Sequence, residues 1–129
     1  MNIGQAAKIS GVSAKMIRYY ESIGLMPEVE RSDGGYRIYQ DRDLHWLRFI
    51  RRSRSLGFGM DEIAALLTLW QDQGRASQSV KTLAQEHIHN LEQRIAEMQG
   101  MVHSLRTLVD HCHGDQRPDC PILTDLAGG

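Results

Sequence analysis

From Ile88 to Val109 the chain places an apolar residue at alternating intervals of three and four: Ile88, Leu91, Ile95, Met98, Val102, Leu105 and Val109. This is the a/d pattern of a heptad repeat, and it fits a helix whose apolar stripe faces another helix. No proline interrupts the segment from about Ser79 to His111, and its lone glycine, Gly100, falls off the stripe. About thirty residues at 1.5 Å each make a rod of ~45 Å. A rod this long cannot bury its stripe on a small domain, and the chain has 129 residues. The expected solution is a coiled-coil homodimer; the alternative is a helix packed within its own monomer.

The segments before the rod are short. Ile3, Ala6, Ala7 and Ile9 form one apolar-periodic stretch, which Gly11 interrupts. Ser13 suits a helix N-cap, a second helix is expected from about Ala14 to Ser22, and Gly24 ends it. Two short helices around a glycine-containing turn are the signature of a helix-turn-helix. Asp33-Gly34-Gly35 is a tight-turn signal, and Tyr36 to Tyr39 is β-prone, so a small hairpin or wing follows. Asp41 is the expected cap of a third helix running to about Leu56, with Leu44, Leu47 and Ile50 on one face. Gly57 and Gly59 break it, and a fourth helix from about Met60 to Trp70 turns Ile63, Leu66, Leu67 and Trp70 inward. Residues 71–79 are polar and read as a connection. The expected domains are a winged helix-turn-helix at 1–70, a linker and dimerisation helix at 71–111, and a terminal loop with a short helix at 112–129.

Charge separates the two halves. Residues 1–59 hold ten Lys/Arg against six Asp/Glu, a balance of +4, and residues 60–129 hold five against ten, a balance of −5. The basic half is the candidate nucleic-acid face, against the alternative of an ordinary solvated surface. The second helix offers Lys15, Arg18, Tyr19 and Tyr20 behind Ser13, residue types that reach phosphates and base edges from the major groove. In so short a helix Ile17 and one of the two tyrosines belong to the core. The wing supplies Arg31, Tyr36 and Arg37. Arg54, with Arg51 and Arg52, forms a second contact point or an ordinary basic surface.

The chain holds two cysteines, Cys112 and Cys120, in one short segment. No stretch approaches the ~20 apolar residues that span a bilayer. The start, MNIGQAAKIS, lacks the basic-then-apolar layout of a signal peptide, so the cytoplasm is the expected compartment. Disulfides are rare there, which leaves the pair metal-binding or redox-active. Two sulfurs suffice for a soft monovalent ion, whereas structural zinc wants four ligands. Gly114 and Pro118 let the intervening loop fold back. Cys120 precedes Pro121-Ile122-Leu123-Thr124-Asp125-Leu126, a candidate two-turn helix with proline at its first position. A helix N-terminus lowers a thiol's pKa. His111 and His113 flank Cys112, and ligand roles for them stay open beside their reading as solvated helix-end residues. No Ser/His/Asp constellation, phosphate-cradling glycine loop or carboxylate pair marks an enzyme.

The run Ile17-Arg18-Tyr19-Tyr20-Glu21, then Gly24-Leu25, Gly35-Tyr36-Arg37, Tyr39, Leu44, Leu47 and Gly57-Phe58 resembles the N-terminal domain of the MerR family of bacterial transcription regulators. The resemblance extends over essentially the whole chain. It implies a mainly helical fold: a winged helix-turn-helix head, a long dimerisation helix in an antiparallel coiled coil, and a C-terminal metal-binding loop. It also implies a homodimer on double-stranded promoter DNA that acts on RNA polymerase by distorting a site whose two elements are set too far apart. The C-x₇-C spacing followed by Pro121-Ile122-Leu123 resembles the copper-efflux regulator branch, which implies Cu(I) as effector, with Ag(I) and Au(I) as further candidates. Within that resemblance, Ser77 stands where relatives sensing divalent ions place a cysteine, and Lys81 matches a position that helps offset charge at the metal site. Both are surface residues otherwise. The alternative for the same cysteine pair is a thiol-disulfide redox-sensing regulator.

Overall fold

Residues 1–128 are described in a computed structural model. The fold is mainly helical, in the order α1 (Ile3–Ser10), α2 (Ala14–Ser22), β1 (Glu30–Arg31), β2 (Arg37–Ile38), α3 (Asp41–Ser55), α4 (Met60–Gln71), α5 (Ser77–His111) and α6 (Pro121–Leu126). The chain divides into two compact units, Met1–Ala76 and the segment from Ser77 onward.

In the first unit, local signals set the helix ends. Asn2 caps α1 reciprocally: its side chain accepts from the Gln5 N–H at 2.8 Å, and the Gln5 side chain accepts from the Asn2 N–H at 2.9 Å. Gly11 ends α1 at φ 77°, where an added Cβ would also collide with the Arg51 guanidinium. Ser13 starts α2 by accepting from the Met16 N–H at 3.2 Å. β1 and β2 pair antiparallel, Glu30 opposite Ile38 and Arg31 opposite Arg37. The wing turn is closed by the Ser32 N–H on the Tyr36 carbonyl at 2.7 Å. Helix α3 begins one residue earlier than a cap at Asp41 requires. Gln40 is the cap, and the Asp43 carboxylate, not Asp41, accepts its N–H at 2.8 Å.

Ala6, Val12, Ile17, Tyr20, Leu25, Met26, Tyr39, Leu44, Leu47, Ile50, Ile63 and Leu67 form one core. Ile9 of the apolar-periodic first stretch and Trp70, expected inward, lie outside this core. Ile9 is exposed, and Ser10 is buried in its place because its hydroxyl accepts the Val12 N–H at 3.2 Å. Trp70 is partly exposed and stacks on Phe49 with ring centroids 4.6 Å apart. Trp46 ties α3 to the end of the α2 segment by donating to the Leu25 carbonyl at 2.8 Å.

Tyr39 fixes the wing against α2. Its ring is buried, and its hydroxyl lies 3.4 Å from a Glu21 carboxylate oxygen, which in turn pairs with Arg37 Nε at 2.9 Å. Burial first, then the Glu21 charge, push the Tyr39 pKa up from 10.0 to about 12. A phenol with a raised folded pKa favours its neutral form. Its contribution to stability is therefore complete below the unfolded value near 10 and is lost as pH rises toward 12. The difference in phenolate absorbance between wild type and Tyr39→Phe is expected to titrate with a midpoint near 12. A midpoint near 10 contradicts the buried Tyr39–Glu21 arrangement.

In the second unit α5 runs 35 residues, so Ser77 belongs to its first turn and not to a connection. Its apolar stripe is uncovered within the chain: Ile88, Ile95, Met98, Val102, Leu105 and Val109 are all exposed, and Leu91 is half-buried. α6 packs back against α5.

Candidate nucleic-acid face and metal loop

Lys15 and Arg18 project from α2 into solvent, with Tyr19 beside them. Arg18 shares one cleft with Arg31 and Arg37 of the wing, together with Glu21 and Glu28. Tyr36 at the wing tip is 78% exposed. These side chains form a single basic and aromatic surface on the first unit. Tyr20 does not join it. It is 2% exposed, packs in the core, and accepts a hydrogen bond from Arg54 Nη1 at 2.8 Å. Helical spacing explains this, since a residue three positions after Ile17 shares its inward face. Tyr20 therefore acts by anchoring Arg54, and Tyr19 is the tyrosine open to a ligand.

Glu21 is a functional residue that the sequence reading gave no role. It holds Arg37, and through Tyr39 it holds the wing, so it sets the position of the wing relative to α2. Its partners lie sixteen and eighteen residues away, too far for any local pattern to reveal. Arg31 is likewise held, by donating Nη1 to the Gly35 carbonyl at 2.9 Å. Each of these arginines commits part of its donor fork and keeps other N–H groups free for a phosphate.

The cysteine loop occupies residues 112–120, between the end of α5 and the start of α6. Both cysteines are free and half-buried. The loop is braced by Asp115, which accepts from the Arg117 N–H at 2.9 Å and from its Nε at 2.8 Å. Cys120 is the N-cap residue of α6. Its thiol is held below the usual range by the Leu123 N–H, against the opposing effect of burial, and further by the Ile122 N–H and the side chain of Cys112. The Cys112 side chain therefore lies beside that of Cys120. Among the described residues no group of three His, Cys, Asp or Glu side chains gathers anywhere in the chain. His111 turns Nδ1 to the Thr107 carbonyl at 2.7 Å, within its own helix. Two soft sulfurs fit a linear monovalent d¹⁰ ion and do not meet the four-ligand demand of structural zinc.

Ser77 and Lys81 lie in the first turns of α5, and Cys112 follows its last residue. Thirty-five residues at 1.5 Å each separate them by ~50 Å within one chain.

Residues 1–70 match the family described as MerR HTH family regulatory protein, and residues 44–108 match the family described as MerR, DNA binding. A heavy metal-dependent transcription regulator of Rhizobium meliloti is 56% identical over the whole chain, covering 88% of that protein. The HTH-type transcriptional regulator CueR of Escherichia coli is 41% identical over 99% of the chain and 95% of its own length. Among solved structures, the transcription regulator PbrR691 from Ralstonia metallidurans in complex with lead(II) superposes with a TM-score of 0.86 at 33% identity, covering 98% of both chains. With its winged helix-turn-helix, its long α5 and these matches along its length, the chain belongs to the MerR family of helix-turn-helix, DNA-binding transcription regulators.

Proposed function

We propose that the chain is a Cu(I)-responsive regulator that binds promoter DNA as an antiparallel homodimer and activates copper-efflux or copper-detoxification genes. One observation carries the metal assignment: two free, half-buried thiols share one short loop, and among the described residues no third ligand side chain gathers beside them. Relatives named for heavy-metal dependence and for CueR support the same reading. Cu(I) is the effector, and Ag(I) and Au(I) satisfy the same donor pair.

Cys112 and Cys120 would hold the ion. Two thiolates and a monovalent cation leave one net negative charge, which the N–H groups of Ile122 and Leu123 offset. Half-buried Ile122 limits access of water. In an antiparallel pair, Ser77 and Lys81 of one protomer approach the loop of the other. Serine supplies no thiolate there, which disfavours divalent ions, and the ammonium offsets further charge.

At the other unit, Ser13 caps the recognition helix and Lys15, Arg18 and Tyr19 meet the major groove. Arg31, Tyr36, Arg37 and Arg54 meet the sugar-phosphate backbone. Deforming a promoter of this kind costs on the order of 1–6 kcal/mol. The ion biases the DNA-distorting state only by its differential affinity for the two states of the dimer, and RNA polymerase then engages both promoter elements.

Anaerobic titration with Cu(I) and Zn(II), read by X-ray absorption at the metal, tests the assignment. A two-sulfur linear shell at one Cu(I) per chain is expected. A four-coordinate zinc shell of comparable affinity overturns it. A response to oxidant without metal, through a Cys112–Cys120 disulfide, moves the pair to redox sensing.

A further inference from the structure

The helix-turn-helix carries a second concentration of cations that the recognition helix and wing do not use. Ile9, Ser10, Arg48, Arg51, Arg52 and Ser55 line one open groove between α1 and α3. Arg48 and Arg52 are four residues apart on α3, and Arg48 and Arg51 three apart, so their charges lie side by side and repel. No ion pair joins any of the three to a carboxylate among the described residues. Helix α1 contributes no acid and adds Lys8 in its last turn. The acids of α3 sit in its first turn, and Asp43 is committed to the Gln40 N–H. Exposed and without a carboxylate partner among the described residues, these guanidinium groups are open to an anion from outside the chain.

The position of the groove identifies that anion. Gly11 closes against the Arg51 guanidinium, and the same turn leads two residues later into Ser13, the cap of α2. The groove therefore begins where the recognition helix begins. A duplex that takes α2 into its major groove brings a bordering phosphate strand past this turn.

We infer that Arg48 and Arg52, beside Arg51, form an additional phosphate clamp that grips the DNA backbone flanking the base-reading contacts. This rests on the DNA-binding reading above. The clamp is blind to sequence and adds to affinity and salt dependence, not to base choice. Arg51 has a packing role against Gly11, whereas Arg48 and Arg52 are exposed and free to contact a strand.

The test compares wild type, Arg48→Gln/Arg52→Gln and Arg48→Lys/Arg52→Lys as full chains. Binding is measured by fluorescence anisotropy from about 50 to 200 mM salt. The probes are a random-sequence duplex and an operator selected in vitro from a random pool. Glutamine is a good helix former and both positions are exposed, so the fold is retained, which circular dichroism checks. Each lost phosphate contact reduces the slope of log affinity against log salt by about 0.9. The glutamine variant is expected to lose about two in slope on both duplexes, with the operator-to-random ratio unchanged and the lysine variant restored. An unchanged slope overturns the clamp. An unchanged slope with reduced transcription in a purified polymerase system assigns the groove to an acidic protein surface and also overturns it. Arg18→Ala separates the two readings: if it weakens operator binding while the glutamine variant does not, the DNA-binding face stands and only the clamp falls. Wild-type protein that binds neither duplex removes the DNA-binding reading itself.

Discussion

Replacing Cys112 or Cys120 by serine is expected to abolish induction by Cu(I) while leaving operator affinity within about twofold. A serine hydroxyl is not ionised near neutral pH and is a hard donor, so either exchange removes half of a two-sulfur site. The remaining thiol cannot complete a linear shell. Operator affinity is spared because the cysteines belong to the second unit, whereas every proposed DNA contact lies at or before Arg54 in the first. The measurement pairs in vitro transcription across a Cu(I) titration with anisotropy on the operator in the absence of metal. Full induction by either variant removes the metal-site assignment. Loss of metal-free operator binding instead indicates that the loop supports the fold of the whole chain.

Much of this arrangement was legible in the residues because it depends on local rules. Ser13 and Gly24 bracket α2, and its observed bounds Ala14–Ser22 follow from a hydroxyl cap and a glycine at φ 75°. Asp33-Gly34-Gly35 marks the wing turn, and the three-four spacing from Ile88 to Val109 marks the long helix. The misreadings arise where tertiary partners decide. Tyr19 and Tyr20 are chemically alike, and only their angle to Ile17 sends one into the core. Gln40 caps α3 in place of Asp41 because Asp43 reaches back to its N–H. Ser77 looks like part of a connection, since serine suits turns, yet it opens a 35-residue helix. Glu21 carries the link between recognition helix and wing through Arg37 and Tyr39, two partners set by the hairpin. At the metal loop the spacing of the cysteines was plain from sequence. That the two side chains lie side by side, while His111 is turned to Thr107, is a consequence of the folded loop.

Introducing glutamate at Met98 or at Leu91 is expected to raise the dimer dissociation constant by at least about 100-fold, equivalent to ~3 kcal/mol. Met98 is 63% exposed in the chain by itself, and its neighbours along the stripe are similarly uncovered. Six side chains of the stripe are exposed and Leu91 is half-buried, and full burial of an aliphatic side chain contributes roughly 1.5–3 kcal/mol. Association is therefore the means by which α5 leaves water. A carboxylate on that seam must be desolvated without a counterion. Position 98 is the more severe test, because it lies near the midpoint of the stripe between Ile88 and Val109. In an antiparallel pair the two copies of this residue approach one another, so the substitution opposes two like charges. Leu91 lies toward one end, and its copies are separated along the rod, which leaves desolvation without the repulsion. Sedimentation velocity at micromolar concentration reads the result directly, and a greater loss at Met98 than at Leu91 supports the antiparallel register. The matching control is Gly100→Ala. Gly100 is off the stripe with open space around it, and alanine favours the helix by about 1 kcal/mol, so this variant is expected to sediment as a dimer with a higher melting temperature. An intact dimer for Met98→Glu contradicts the heptad seam, since no other exposed apolar stripe of comparable length runs along α5 among the described residues.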